Sequence, residues 1–269
     1  MPRPFVALLT DFGTRDHYVG AMKGVILSLC PEAVLVDLTH EIPAHDVLTG
    51  SLELGACFLH FPPGTVFLAV VDPGVGSARR GIAAEAGPYR FVAPDNGVLT
   101  SVFAEVPPKR VVSLTERKYA RPTISKTFEG RDRFAPAAAW LARGIEVSAM
   151  GSALHDYICL PIPQAVESGG AVDGCVLRVD RFGNLVTNIP RAMVDRLAGS
   201  GSARVVVGDC TVDAVVETYM GVAAGELCAL VGSTGFLEVA VNGGRAADAL
   251  SAGVSTPVKV VRLSNAVVR

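Results

Sequence analysis

The pattern of apolar and polar positions divides the chain into two regimes. Phe5–Thr10 (FVALLT) is a short apolar run suited to a buried strand, and Tyr18–Cys30 (YVGAMKGVILSLC) spaces its apolar residues as a helix does. Ala33–Leu38 then reads as strand, Asp46–Phe61 as helix and Thr65–Asp72 (TVFLAVVD) as strand. This alternation predicts an α/β domain whose mostly parallel sheet is flanked by helices. GIAAEA, YRFVAP and KRVVSL are further strands, and Arg133–Gly144 is a late helix in which Pro136 fits only the first turn.

The regime changes near LPIPQAVESGGAVDG (Leu160–Gly174), where Pro, Gly and Ser cluster. Beyond it come short β-rich pieces (CVLRVD, LVTNIP, ARVVVGD, GELCALVG, FLEVAVN, PVKVVRL), with helical patterning confined to RAMVDRLAG and RAADALSAG. The expected organisation is an N-terminal α/β domain over residues 1–163, a linker over 164–171 and a smaller β-barrel-like domain over 172–269.

Composition narrows the function classes. A formal net charge of -2, with no block of like charges, gives no electrostatic reason to expect nucleic acid or a membrane as partner. No apolar run approaches the ~18–20 residues that span a bilayer. The N-terminus lacks a signal-peptide layout, so a cytoplasmic protein is expected. The 6 cysteines include no C-x-x-C pair and read as reduced thiols.

Ligands of parallel α/β sheets bind at the carboxyl ends of strands, and two such ends here carry acids. TDFGTRDHY offers Asp11 at the end of the first strand and Asp16 near the next helix, where a turn former and a helix cap are the plainer roles. VVDPGVGSARR offers Asp72 before a tight glycine loop, with Arg79 in reach of folding back. It lacks the third glycine of a dinucleotide fingerprint and the lysine of a phosphate loop. In APDNGVLT, Asp95 and Asn96 read as turn residues. DLTHEIPAHD supplies Asp37, His40, Glu41, His45 and Asp46, but its histidines are five apart rather than four, so no metal site is expected. DRFGNLVTN and GSTGFLEVAVN could be hairpins with core packing, or could present amides and hydroxyls to a planar heterocycle.

Taken in order, TDFGTRDHYVGAMKG, VDLTHEI, VVDPGVGS, APDNGVL, TFEGRDRFAPAAA, DRFGNLVTNI and STGFLEVAVNGG resemble the S-adenosylmethionine hydroxide adenosyltransferases, relatives of the fluorinase and chlorinase. These stretches span nearly the whole chain. The resemblance implies a homotrimer with active sites between subunits, S-adenosylmethionine as substrate and no cofactor. It further implies attack of water on C5′ to release adenosine and L-methionine. By resemblance Asp11 would hold the ribose hydroxyls, Asp16 would meet the methionine end, and Phe128 would wall the reacting carbon. Phe182 and Asn184, from a neighbouring subunit, would stack on and hydrogen-bond to adenine. Ser233 and Thr234 lie where the family binds the methionine carboxylate, although a halogenase has arginine next to that serine; Asp180 would make a further methionine contact. The halogenases place tyrosine at position 72, which favours a hydrolase here, with a halogenase or a non-catalytic binder as the alternatives.

A sulfonium leaves as a neutral thioether, so the leaving group needs no acid. The reaction needs in-line placement, exclusion of bulk water and, for a hydrolase, an acceptor for the proton of water. Asp72 and Arg79 suit that task. The hydrolase branch completes the set with a histidine, in T-F-H-G-R-D, where this chain has Glu129. Glu129 is thus a candidate base, its repulsion from Asp72 moderated by Arg79. A plain ion pair of Glu129 with Arg79 or Arg131 fits the same residues.

Overall fold

The structure, a computed structural model, describes residues 3–198 and 202–263. The chain divides into two compact units, Met1–Pro161 and Ile162–Arg269.

The first unit holds strands β1 (Phe5–Thr10), β2 (Val34–Thr39), β3 (Val66–Val70), β4 (Gly81–Ala86), β5 (Tyr89–Pro94) and β6 (Pro108–Ser113), in the order β2-β1-β3-β5-β4-β6. Its helices are α1 (Tyr18–Leu29), α2 (Val47–Cys57), α3 (Thr100–Glu105) and α4 (Ala135–Ala142). Side chains alternate between the two faces of a strand, and in β1, β3, β4 and β5 both faces are buried. Val6 and Leu8 of β1 pack with Met22 and Ile26 of α1 and Ala138 and Leu141 of α4. Ala7 and Leu9 face the other way, onto Leu54 of α2 and Val102 of α3.

Strands β2, β1, β3 and β5 are parallel, as the alternation predicts. The other two depart from it. Only Gly87 and Pro88 separate β4 from β5, and so short a turn permits an antiparallel hairpin alone. β6 then adds antiparallel to β4. The short helix α3, after the D-N-G turn, has no counterpart among the elements expected from the residue pattern.

In the second unit β7 (Val166–Ser168), β8 (Ala171–Val179), β9 (Leu185–Pro190), β10 (Ser202–Val207), β11 (Cys210–Val212), β12 (Leu227–Val231), β13 (Phe236–Val241) and β14 (Pro257–Leu263) form a sheet running β11-β10-β14-β8-β9-β13-β12. A bridge from Val215 to Ala229 links the chain after β11 to β12, bringing the two edges together as in a barrel. Helices α5 (Arg191–Ala198) and α6 (Ala246–Ala249) match the two helical patterns. Within the stretch 164–171, expected as a linker, Gly169 and Gly170 are both at positive φ and turn a hairpin in which β7 pairs with β8; the first compact unit ends at Pro161 and the second begins at Ile162. Among the described residues no helix is long and apolar enough to cross a membrane.

Gly76 permits a close approach within the first unit. The loop after β3 passes so near the segment before Phe128 that a Cβ on Gly76 (φ 78°) would lie 2.3 Å from the Lys126 carbonyl oxygen. Gly64 has a similar φ of 87° but open space around it. Gly76→Ala should therefore destabilise by roughly 2–3 kcal/mol, and Gly64→Ala by about 1 kcal/mol from backbone strain alone. Denaturant unfolding of both variants checks this; equal losses would show that the close approach carries no weight.

Candidate active site

Asp72 lies just past the end of β3, and the next residues turn the chain back on itself. The Val75 amide donates to the Asp72 carbonyl, and Ser77 donates from both its amide and its hydroxyl to Gly74. The Ser77 hydroxyl then accepts from the Arg79 amide. This brings Arg79 round to face Asp72 in a two-pronged ion pair, Nε to Oδ1 at 2.7 Å and Nη2 to Oδ2. The same Nη2 donates to Glu129 Oε2 at 3.1 Å. All three side chains are nearly enclosed: Asp72 is 5% exposed, Glu129 8% and Arg79 10%. The Arg79 guanidinium also lies over the Phe134 ring, 5.1 Å from its centroid. The two acids therefore meet at one guanidinium. Glu129 Oε1 takes no hydrogen bond from the described residues, which leaves one carboxylate oxygen open to a ligand or water.

Glu129 opens a π-helical turn, Gly130–Phe134, that runs into α4. Such turns are rare and recur at functional sites. The turn sorts the charges of TFEGRDRFAP. Arg131 does not pair with Glu129; it clasps Asp132 through Nε (2.7 Å) and Nη2 (2.8 Å). Arg133, at i+4 from Glu129, approaches its Oε2 at 3.5 Å. Asp132 is buried, and its Oδ2 accepts from the Ser125 amide. Burial pushes its carboxyl up, but the Arg131 and Ser125 hydrogen bonds outweigh that and hold it below the usual carboxylate value.

Phe128 packs edge-on against Tyr18 (centroids 5.1 Å apart) and Phe12 (6.2 Å), forming an aromatic wall beside Glu129. Gly130 closes the corner. A Cβ there would touch Met22 Sδ at 3.3 Å and Phe128 Cε2 at 3.5 Å. Asp11, past the end of β1, accepts from the His45 amide at 2.8 Å. Asp16 is exposed and does not cap α1, whose N-cap is His17 without a side-chain bond.

The metal candidates have other work. Asp46 caps α2, accepting from the Thr49 amide and hydroxyl. Asp37 pairs with Lys23, and His40 Nδ1 meets the Thr10 hydroxyl at 2.8 Å. His40 Nε2 is 2.9 Å from Asp37 Oδ1 but is not aligned as a hydrogen bond. No three His, Cys, Asp or Glu among the described residues are placed to hold a metal ion. Asp95 and Asn96 are turn residues with structural bonds, Asp95 to Arg80 and the Ile158 amide, Asn96 to the Val71 carbonyl.

In the second unit Asp180 organises a tight turn. Its Oδ1 accepts from the Phe182 and Asn184 amides, and its Oδ2 from Asn184 Nδ2. The latter bond fixes which way the Asn184 amide points and leaves its oxygen without a partner among the described residues. Phe182, at the tip of the turn, is 73% exposed. In the Gly232–Gly235 turn Ser233 is exposed, while Thr234 Oγ1 is buried with no hydrogen-bond partner among the described residues. Beneath that turn sits an acid that the sequence motifs did not single out. Glu238 is buried and accepts from the Tyr219 hydroxyl at 3.1 Å; its Oε1 occupies the place a Gly232 Cβ would take. Burial raises the Glu238 carboxyl above its ordinary value and, with the neighbouring Glu238 charge, pushes Tyr219 to about 12. Strand alternation was the available signal, because Glu238 interrupts FLEVAV on the face opposite Leu237 and Val239. Arg133 was also missed, although its i,i+4 spacing from Glu129 is visible in the sequence.

Residues 6–151 match the model of the SAM hydroxide adenosyltransferase N-terminal domain, and residues 174–259 match that of the C-terminal domain. The chain belongs to this family. It is 40% identical to a protein named (R)-S-adenosyl-L-methionine hydrolase from Salinispora tropica, over 93% of this chain and 94% of that protein. A fluorinase from Actinoplanes sp. is 32% identical over 74% of this chain and 75% of its own length. A crystal structure of an uncharacterized conserved protein from Thermotoga maritima superposes with a TM-score of 0.91 at 39% identity, covering 96% of this chain and all of that one.

The depressed Asp132 carboxyl links the stability of the fold to pH. Its folded-state value lies below its unfolded one, so its ion pair stabilises the fold above the ordinary carboxylate range. That contribution fades as pH falls through the lowered value. Asp132→Asn should therefore lower the unfolding free energy clearly at neutral pH, with the gap to wild type closing below about pH 4. Denaturant titrations at both pH values check this, and a gap that widens in acid would contradict it.

Proposed function

We propose that this protein hydrolyses S-adenosyl-L-methionine to adenosine and L-methionine. The observation that carries the reading is the enclosed Asp72–Arg79–Glu129 ion pair beside Phe128, in a family whose halogenases have tyrosine at the first of these positions. The (R) sulfonium epimer, named for the Salinispora tropica relative, is the proposed substrate.

In this reading Asp11 receives the ribose hydroxyls, and Phe128 with Tyr18 and Phe12 walls C5′ away from bulk water. Such exclusion strengthens the local electrostatics and prevents side reactions. A water molecule donates one hydrogen bond to Glu129 Oε1, and Arg79 holds Glu129 and Asp72 in fixed positions. The water oxygen bonds to C5′ as the C5′–S bond breaks. The bonding pair goes to sulfur, leaving methionine as a neutral thioether, and the proton from water passes to Glu129. The sulfonium already provides the driving charge, so the chain has to supply alignment and a proton acceptor.

Groups for the ends of the substrate are assigned to the second unit of a neighbouring subunit. Phe182 is an exposed aromatic at the tip of a turn, suited to stack on adenine, and the Asn184 oxygen, without a partner among the described residues, suits the exocyclic amine. The partnerless Thr234 hydroxyl, with Ser233, suits the methionine carboxylate. Asp16 and Asp180 are assigned to the methionine end, where an ammonium needs acids. Exposure of Phe182 supports a homotrimer in which a neighbouring subunit covers it.

Incubation with both sulfonium epimers, with and without halide, and chromatography of the products tests the reading. Adenosine and methionine in equal amounts, independent of halide, are expected. A 5′-halo nucleoside would make the protein a halogenase, and bound but intact substrate a binder. Glu129→Gln should lower kcat by ~10²–10⁴-fold with KM little changed, the size expected for loss of a positioned base. Unchanged kcat would remove Glu129 from that role.

A further inference from the structure

The family histidine can be neutral, whereas Glu129 brings a full negative charge into the same enclosed place. Burying an unbalanced charge is costly. Arg79 cannot balance it alone, since Asp72 already holds two of its nitrogens. The missing charge comes from the next turn. Arg133 Nη1 lies 3.5 Å from Glu129 Oε2, and Arg133 has no other ion-pair or hydrogen-bond partner among the described residues. Its side chain is 28% exposed and lines a cavity of about 390 Å³ together with Arg79, Gly81 and Met150. Gly81 makes the approach possible, because a Cβ there would lie 3.3 Å from Arg133 Cδ and 2.5 Å from the Phe134 ring. Asp72 and Glu129 against Arg79 and Arg133 sum to zero formal charge. Both guanidiniums meet Oε2, and Oε1 takes no hydrogen bond from the described residues.

We propose that Glu129 and Arg133 act as one charge-compensated unit in place of the family histidine, with Arg133 the positioning residue. The inference rests on the hydrolase reading. Arg133 holds Glu129 in position for the proposed water, and it adds a second cation to the two acids that share Arg79. The compensation also has a converse. With histidine at position 129 and Arg133 retained, the cluster carries excess positive charge next to a sulfonium substrate, which should repel it.

The test is a double-mutant cycle on the full chain, with kcat and KM measured separately and folding checked by thermal unfolding. Arg133→Leu should lower kcat about tenfold with KM nearly unchanged, as misplacement of a reacting group does, and Arg133→Lys should recover most of the loss. Glu129→His should raise KM about tenfold through the unbalanced charge. Adding Arg133→Leu to Glu129→His should then lower KM again, so that one substitution harms the native enzyme and helps the variant. If Arg133→Leu depresses both backgrounds by the same factor, Arg133 is only structural and the proposal falls. If Arg133→Leu does not fold, Arg133→Gln takes its place in the cycle. If the wild type releases no adenosine, the hydrolase reading fails. The pair is then judged from equilibrium binding of S-adenosylmethionine: weakening by Glu129→His with recovery in the double variant supports it, and equal affinities overturn it.

Discussion

Two carboxylates that share one buried guanidinium set the terms for the rest of this site. Asp72 and Glu129 come from segments far apart along the chain, and the Arg79 guanidinium between them donates to both in a nearly enclosed place. The sheet supplies the rigidity. β3 is buried on both faces and delivers Asp72 at its carboxyl end, while the glycine loop returns Arg79 within hydrogen-bond reach. Gly76 lets that loop press against the chain leading to Phe128, and Gly81 makes room for Arg133 and Phe134. A reaction that needs little beyond alignment and a proton acceptor is well served by such a fixed electrostatic frame.

The charges of the π-helical turn divide by task. Arg131 and Asp132 hold the turn together with Arg121 and the Ser125 amide, and Asp132 has almost no contact with solvent. Glu129 points instead toward Arg79, and Arg133 toward Glu129. Four charged residues within five positions therefore form two separate ion-pair systems, one architectural and one facing the proposed reaction. Asp72, Arg79 and Phe128 are the residues that the resemblance to the adenosyltransferases led one to expect here, and Glu129 stands where the hydrolase branch it resembles has histidine.

Much of this was legible in the residue pattern. The strands and most helices of the first unit lie within a residue or two of their expected spans, because long buried runs with helical or strand periodicity leave little choice. The antiparallel β4 and β6 were not legible, since a strand's direction depends on its partner and on the length of its turn. The Gly169–Gly170 stretch looked like a linker because turn and linker share a composition. At the site, the proximity of Asp72 and Arg79 could be expected from a loop of seven residues. The i,i+4 spacing of Arg133 from Glu129 was visible as well, but the choice between Arg133 and Arg131 rests on the π-turn, which decides which side chains face which way. Asp180 looked like a ligand and proved to organise its own turn, a double capacity that four lone-pair sites on one carboxylate allow.

In the proposed reaction, water held by the Asp72–Arg79–Glu129 cluster attacks C5′ of the sulfonium substrate. Turnover in water enriched with the heavy oxygen isotope, followed by mass spectrometry of both products, tests this. One heavy oxygen in the 5′-hydroxyl of adenosine and none in methionine are expected. Unlabelled adenosine, or label in methionine, would contradict it.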